Sequence, residues 1–235
     1  MKNKNYYNNS VSKGYYDLVY KRKKGIQSAW HHIKFIYIKN KIHKSKLHLD
    51  IGCGPGTFLG ILKKKAIGVD IDSNQINYAK KTYLSRKLTF LTYKNRLPLK
   101  SQSVDSISLI ELIEHINEKD LSTLINECKR VLKKNGYIVL STPNYYSLWP
   151  ILEIILNFLS PVNYKHQHIN KFNKKKLLKF IKKKGFNVSE INSFMLFSPF
   201  LAIISFKLSL HMLKFDNFFT KFFPGFLLFL KGKKV

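Results

Sequence analysis

Arginine is nearly missing from this basic chain. Of 42 lysines and arginines, set against 13 acidic residues, only Arg22, Arg86, Arg96 and Arg130 are arginines. Proteins that read base edges rely on the guanidinium fork, so the shortage argues against a dedicated nucleic-acid binder. The lysines are spread along the chain, and with the plentiful Asn, Ile, Phe and Tyr they carry the footprint of an AT-rich genome. The net charge of +29 therefore reads first as base composition and solvated surface, with an acidic membrane surface as the remaining anionic partner. Cysteine is also scarce. Cys53 and Cys128 form no CxxC pattern, which excludes a disulfide framework and fits a reducing cytoplasm. Residues 1–9 have no apolar run, so no secretory signal is expected and 1–13 reads as a flexible polar tail. Residues 148–162 are apolar but short of the roughly 20 residues that span a bilayer. Residues 194–213 are long enough, yet Pro199, Lys207 and several serines interrupt them.

What the chain does have is glycine concentrated in one place. Residues 47–59 read LHLDIGCGPGTFL: a short apolar strand, Asp50 near its end, then Gly52, Gly54 and Gly56, then apolar residues that start a helix. A strand feeding a glycine-dense turn and a helix is the first unit of a nucleotide-binding βαβ fold.

The remaining elements follow in alternation. Apolar positions at Ile26, Ala29, Trp30, Ile33, Ile36 and Tyr37 recur at three and four, predicting an amphipathic helix before the first strand. Tyr15, Tyr16 and Tyr20 precede it, either as an aromatic lid or as packing, with packing the simpler reading of each. Strands are expected at 66–71, 88–93, 103–110, 137–141 and 186–194, with a last one after Pro224. Asp72, Ser73 and Asn74 supply cap chemistry for the helix through Tyr83. Residues 111–134 read as helical, stopped at Asn135-Gly136. Strand and helix alternating in this way imply a parallel, doubly wound α/β sheet. No second domain or internal repeat is visible, so 14–235 is expected to be one domain, with an apolar substrate-covering region within 145–215.

The loop spacing is G-x-G-x-G, not the G-x-G-x-x-G of a dinucleotide site, and Asp70 follows Asp50 by 20 residues, the spacing of a ribose-holding carboxylate. A cofactor without phosphate suits such a loop better than a dinucleotide does. The segments LDIGCGPGTFL, GVDID, LPLKSQSVDSISLIELIEH, VLKKNGYIVLSTPN and the later H-x-x-x-F-N-K-K-K-L-L run together resemble the class I S-adenosylmethionine-dependent methyltransferases, over about residues 15–192. Within that class the chain is similar to ubiquinone-type O-methyltransferases. The resemblance implies a Rossmann-like sheet of about seven strands with the last antiparallel and helices on both faces. It implies S-adenosylmethionine as cofactor, with Asp50, Gly52, Cys53, Gly54, Gly56, Asp70, Ile71, Tyr93 and Glu111 around it. The acidic adenine contact usual in the family has no counterpart at Tyr93-Lys94-Asn95.

Methyl transfer needs alignment and exclusion of water, and a base only where the acceptor is a hydroxyl. The candidate bases are His115, His166 and His168. Glu111, Glu114 and His115 form E-x-x-E-H, which at a helix start would share one face, and which resembles a divalent-metal pattern of ubiquinone-type and small-RNA methyltransferases. The preferred reading of that motif is a plain helix start with no metal. The expected acceptor is a small-molecule or lipid-linked one, a hydroxyl on a lipid, quinone precursor or glycan. An RNA methyltransferase and a non-catalytic binding module on this fold are the alternatives. Cytoplasmic placement is expected, with peripheral contact at an anionic membrane; oligomeric state is open.

Overall fold

Strand β1 (His48–Ile51) is buried along its whole length, as expected of a central parallel strand covered on both faces. In the computed structural model, which describes residues 11–42, 45–159 and 167–235, β1 pairs in parallel with β2 (Ala66–Asp70) and with β4 (Val104–Ile110). β3 (Leu88–Thr92) lies beyond β2, and β5 (Leu132–Pro143) lies beyond β4, both parallel. β7 (Leu227–Lys234) runs antiparallel between β5 and β6 (Phe186–Phe194). The order β3-β2-β1-β4-β5-β7-β6 is the seven-stranded sheet expected, with the last strand reversed. Its switch point lies between β1 and β4, where ligands bind at strand C-termini in doubly wound folds.

Residues alternate between two cores, one on each face. On one face Ile138, Leu140, Leu228 and Leu230 pack with α5 (Glu118–Val131) and α7 (Lys174–Lys183). On the other, Val139, Leu227 and Phe229 pack with α2 (Gly25–Lys39), α3 (Thr57–Leu62) and α4 (Ser73–Tyr83). α1 (Tyr15–Arg22) packs on α2, and α6 (Trp149–Leu159) follows β5. A 3-10 turn (Phe200–Ile203), α8 (Phe206–His211) and α9 (Leu213–Phe219) fill the connection from β6 to β7.

Four expectations differ from the structure. Helix α5 starts at Glu118 and ends at Val131; Asn117 caps it by accepting from the Asp120 N–H at 3.0 Å, and Leu132 already pairs with Val104. E-x-x-E-H therefore lies on a turn, with Glu111 in the left-handed region at φ 48 and a short 3-10 segment at Ile113–His115. α2 is not a one-sided surface helix: His31, His32 and Lys34 are buried along with Ala29 and Ile33, because α1 and the 3-10 turn cover its outer face. The apolar run 194–213 is no single element, since Met195 turns at φ 67 and the chain then breaks into the 3-10 turn and six-residue α8. Residues 1–10 of the expected tail, and His166, lie outside the described residues. Among the described residues, no helix is long and apolar enough to cross a membrane.

Candidate active site

The loop after β1 is built on three left-handed glycines, with φ of 72° at Gly52, 50° at Gly54 and 81° at Gly56. Gly52 and Gly56 also lack room. A Cβ would stand 2.9 Å from Leu112 at the first and 2.8 Å from Phe90 at the second. Gly54 is different: a Cβ there would meet nothing within 4 Å, because this glycine faces open space. That space is a cavity of about 1070 Å³ running along the C-terminal ends of β1, β2, β4 and β5.

Asp70 closes β2 beside the loop. Its two carboxylate oxygens accept from the N–H groups of Gly54 at 2.8 Å and Asp72 at 2.9 Å. Each oxygen has a further lone pair to offer. Burial raises its pKa, against the lowering by these amides. Ile71, half exposed, and Tyr93, whose N–H donates to the Asp70 carbonyl at 3.1 Å, continue the cavity wall. Asp50 is buried under the loop, accepts from the Ser108 hydroxyl, and is pushed up to about 7 by burial. Ser108 also meets His48 Nε2 at 2.9 Å, and His48 Nδ1 meets Ser106 at 2.7 Å, so Asp50 ends a buried polar chain. Burial pushes His48 down to about 3 and keeps its ring neutral. The Cys53 thiol lies beside Gly68, and burial pushes its pKa well above the usual value.

The cavity's far half carries a second cluster. Glu114, His115 and His168 each place one potential ligand atom within 4.8 Å of the others. His168 is brought there by backbone pairing, since the Ile169 and Asn170 N–H groups both donate to the Glu114 carbonyl, at 2.8 and 2.9 Å. Glu153 on α6 lies 2.5 Å from His168 Nδ1, and the Tyr145 hydroxyl donates to Glu153 at 3.0 Å. Glu114 accepts from Thr142 at 2.9 Å through one oxygen; its other oxygen is buried, has no hydrogen-bond partner among the described residues, and lies 4.0 Å from His115 Nε2. Burial pushes Glu114 up to about 7. Burial, with His168 nearby, pushes His115 down to about 4. Burial would lower His168 too, but the Glu153 hydrogen bond and the Glu114 charge outweigh it and the pKa rises.

Glu111 does not join this cluster. It accepts from Trp30 Nε1 at 3.1 Å and pairs with the buried Lys34 ammonium. Among the described residues, the metal-capable set is thus Glu114, His115 and His168 rather than Glu111, Glu114 and His115. Trp30, Lys34 and Glu153 escaped sequence reasoning. Lys34 gave one signal, as a lysine inside an apolar helix pattern. Of the three early tyrosines, Tyr16 lines the cavity, while Tyr15 bonds Gln27 and Tyr20 stacks on His32 at 3.8 Å.

Residues 49–140, from β1 through β5, match the methyltransferase domain family. Over this stretch the chain is similar to methyltransferase domains. The chain is 30% identical over 105 residues to a "Probable S-adenosylmethionine-dependent methyltransferase" of Mycobacterium tuberculosis, covering 43% of this chain and 37% of that protein. The chain is also 35% identical over 102 residues to a ubiquinone biosynthesis O-methyltransferase of Pelagibacter ubique, covering 41% of each. The chain spans about a third to a half of the length of the first curated relatives it matches. The fold of the chain matches a crystal structure of an S-adenosylmethionine-dependent methyltransferase from Thermotoga maritima, with TM-score 0.64 and 19% identity over 93% of this chain and 92% of that one. A Haloferax volcanii methyltransferase, solved in complex with the Trm112 methyltransferase activator, shares the fold at TM-score 0.63 and 16% identity over 95% and 99% of the two chains. The sheet has the Rossmann-like fold of these solved methyltransferase structures.

Proposed function

We propose that the protein transfers a methyl group from S-adenosylmethionine to a hydroxyl on an apolar small molecule or lipid-linked acceptor. The observation that carries this reading is one continuous cavity, with the open Gly54 face and Asp70 at one end and the Glu114, His115, His168 cluster at the other. The residues fit the cofactor: Gly54 leaves room for close approach, Asp70 retains acceptor capacity for ribose hydroxyls, and Ile71 with Tyr93 offers an apolar wall. S-adenosylmethionine supplies a methyl carbon already activated by its sulfonium charge, so the protein has mainly to align and to exclude water.

The acceptor half is lined by Trp30, Phe35, Trp149, Leu152 and Phe200, which suits an apolar body. In this reading His168, oriented by the Glu153 hydrogen bond to its Nδ1, takes the acceptor's proton once the pH exceeds its raised pKa and its ring is neutral. A second reading is favoured by the unpartnered Glu114 oxygen beside two histidines: these three residues form a set able to hold a divalent cation, with Glu153 orienting His168. Such a cation would lower the hydroxyl's pKa.

Titration calorimetry with S-adenosylmethionine tests the first half of the cavity. The wild-type chain should bind it, and Asp70→Ala should weaken binding about tenfold or more by removing hydrogen bonds to a charged group. Absence of binding to wild type, or an unchanged affinity in the variant, would overturn the reading.

A further inference from the structure

Helix α9 is inverted relative to an ordinary surface helix. Its buried residue is the acid Asp216, while Phe215, Phe218 and Phe219 are exposed. The inversion has a structural cause. The Asp216 carboxylate accepts from the N–H groups of Leu196 at 2.9 Å, Phe197 at 3.0 Å and Ser198 at 3.1 Å, and from the Ser198 hydroxyl. That latch ties α9 to the turn after β6 and holds Asp216 inward. The rings are left outward and in contact with one another: Phe218 lies 5.6 Å from both Phe219 and Phe222, and Phe219 lies 6.4 Å from Phe197. Phe222 and Phe223 extend the patch past the helix at 69% and 57% exposure. An exposed apolar patch held open by a polar latch calls for something to cover it.

Charge decides what that is. Lys207, Lys214 and Lys221 are exposed on the same segment, and the Lys221 ammonium stands 5.8 Å from the centre of the Phe218 ring. Asp216 is the only acid in residues 191–235, and it is buried. A second copy of the chain would set lysine against lysine across the contact. An anionic bilayer takes both components, the rings at its acyl boundary and the ammonium groups among its headgroups. The 3-10 turn links this face to the cavity, since Phe200 lines the cavity while Ile203 and the adjoining Ile204 are more than two-thirds exposed.

We infer that α9 and the phenylalanine turn after it dock the protein on an anionic membrane surface. The inference stands on exposure and charge and does not require the methyl-transfer reading, although a docked face beside the cavity would admit a lipid-borne acceptor. The test is co-sedimentation of the full chain with vesicles of phosphatidylglycerol and phosphatidylcholine in equal parts, and with phosphatidylcholine alone, without cofactor. The expected result is binding to the mixed vesicles that falls with added salt and is at least about tenfold weaker on phosphatidylcholine alone. Phe218→Ser/Phe222→Ser should cut binding about tenfold, and Lys214→Glu/Lys221→Glu should do the same while leaving the rings in place. All these positions are exposed, so unchanged circular dichroism and melting temperature verify folding. Equal binding to both vesicle types, unchanged binding by both variants, or no binding together with a concentration-dependent dimer that Phe218→Ser/Phe222→Ser dissolves would overturn the proposal.

Discussion

Asp50 and His48 share one strand and titrate in opposite senses. Burial pushes Asp50 up from 3.8 to about 7, so the folded chain holds a proton that the unfolded chain has released. That contribution to stability is complete below pH 3.8 and is lost as pH rises through 7. Burial pushes His48 down from 6.5 to about 3, and its contribution is complete above 6.5 and lost as pH falls through 3. Between 3.8 and 6.5 the two slopes oppose each other. Asp50→Asn removes one of them, so the variant should gain on the order of 3 kcal/mol across that window, where the wild-type contributions from this pair cancel. Chemical denaturation at a series of pH values measures this; parallel curves for wild type and variant would show that Asp50 does not hold its proton in the fold. Asp50 was readable in the sequence as a strand-end carboxylate, and the glycines were readable because few other residues accept their dihedrals. The buried His48 chain was not readable, since it depends on Ser106 and Ser108 of a strand that only the sheet brings alongside.

At the scale of elements, α1 is pinned over the glycine loop by a single side chain. Asp17 is fully buried and accepts from Thr57 at 2.9 Å, from Tyr78 at 2.7 Å and from Tyr83, while pairing with Lys21 at 2.6 Å. Asp17→Ala leaves three hydroxyls short of an acceptor, which costs about 2–4 kcal/mol. A melting temperature within a degree or so of wild type would contradict that account. Elements defined by local pattern were the legible ones: β1 to β4, the Asp72-capped α4 and the end of β6. Helix α5 was misjudged at both ends because Asn117 competes as a cap and Leu132 is claimed by pairing with Val104. The Glu114–His168 meeting was hidden because two backbone bonds between distant segments create it. The Glu111–Lys34 pair was hidden in the same way, joining a turn to a helix far earlier in the chain.

For the molecule as a whole, +29 charges on one chain repel, and few described carboxylates offset them. Raising sodium chloride from about 0.02 to about 0.5 M shortens the screening length several-fold. The melting temperature should therefore rise by several degrees as self-repulsion weakens; a fall would mean that specific ion pairs such as Lys41–Glu190 and Lys133–Asp105 outweigh the repulsion. The sheet order carries a last consequence, for how the chain is made. Among the described residues β6 is an edge strand whose only sheet partner is β7, and the α9 latch hangs on the connection between them. As the polypeptide leaves the ribosome, β6 has no strand to join until residues 227–234 have followed it out. The sheet from β1 to β5 is complete in sequence before that point, so the edge that receives β7 exists before β6 and β7 can pair beside it.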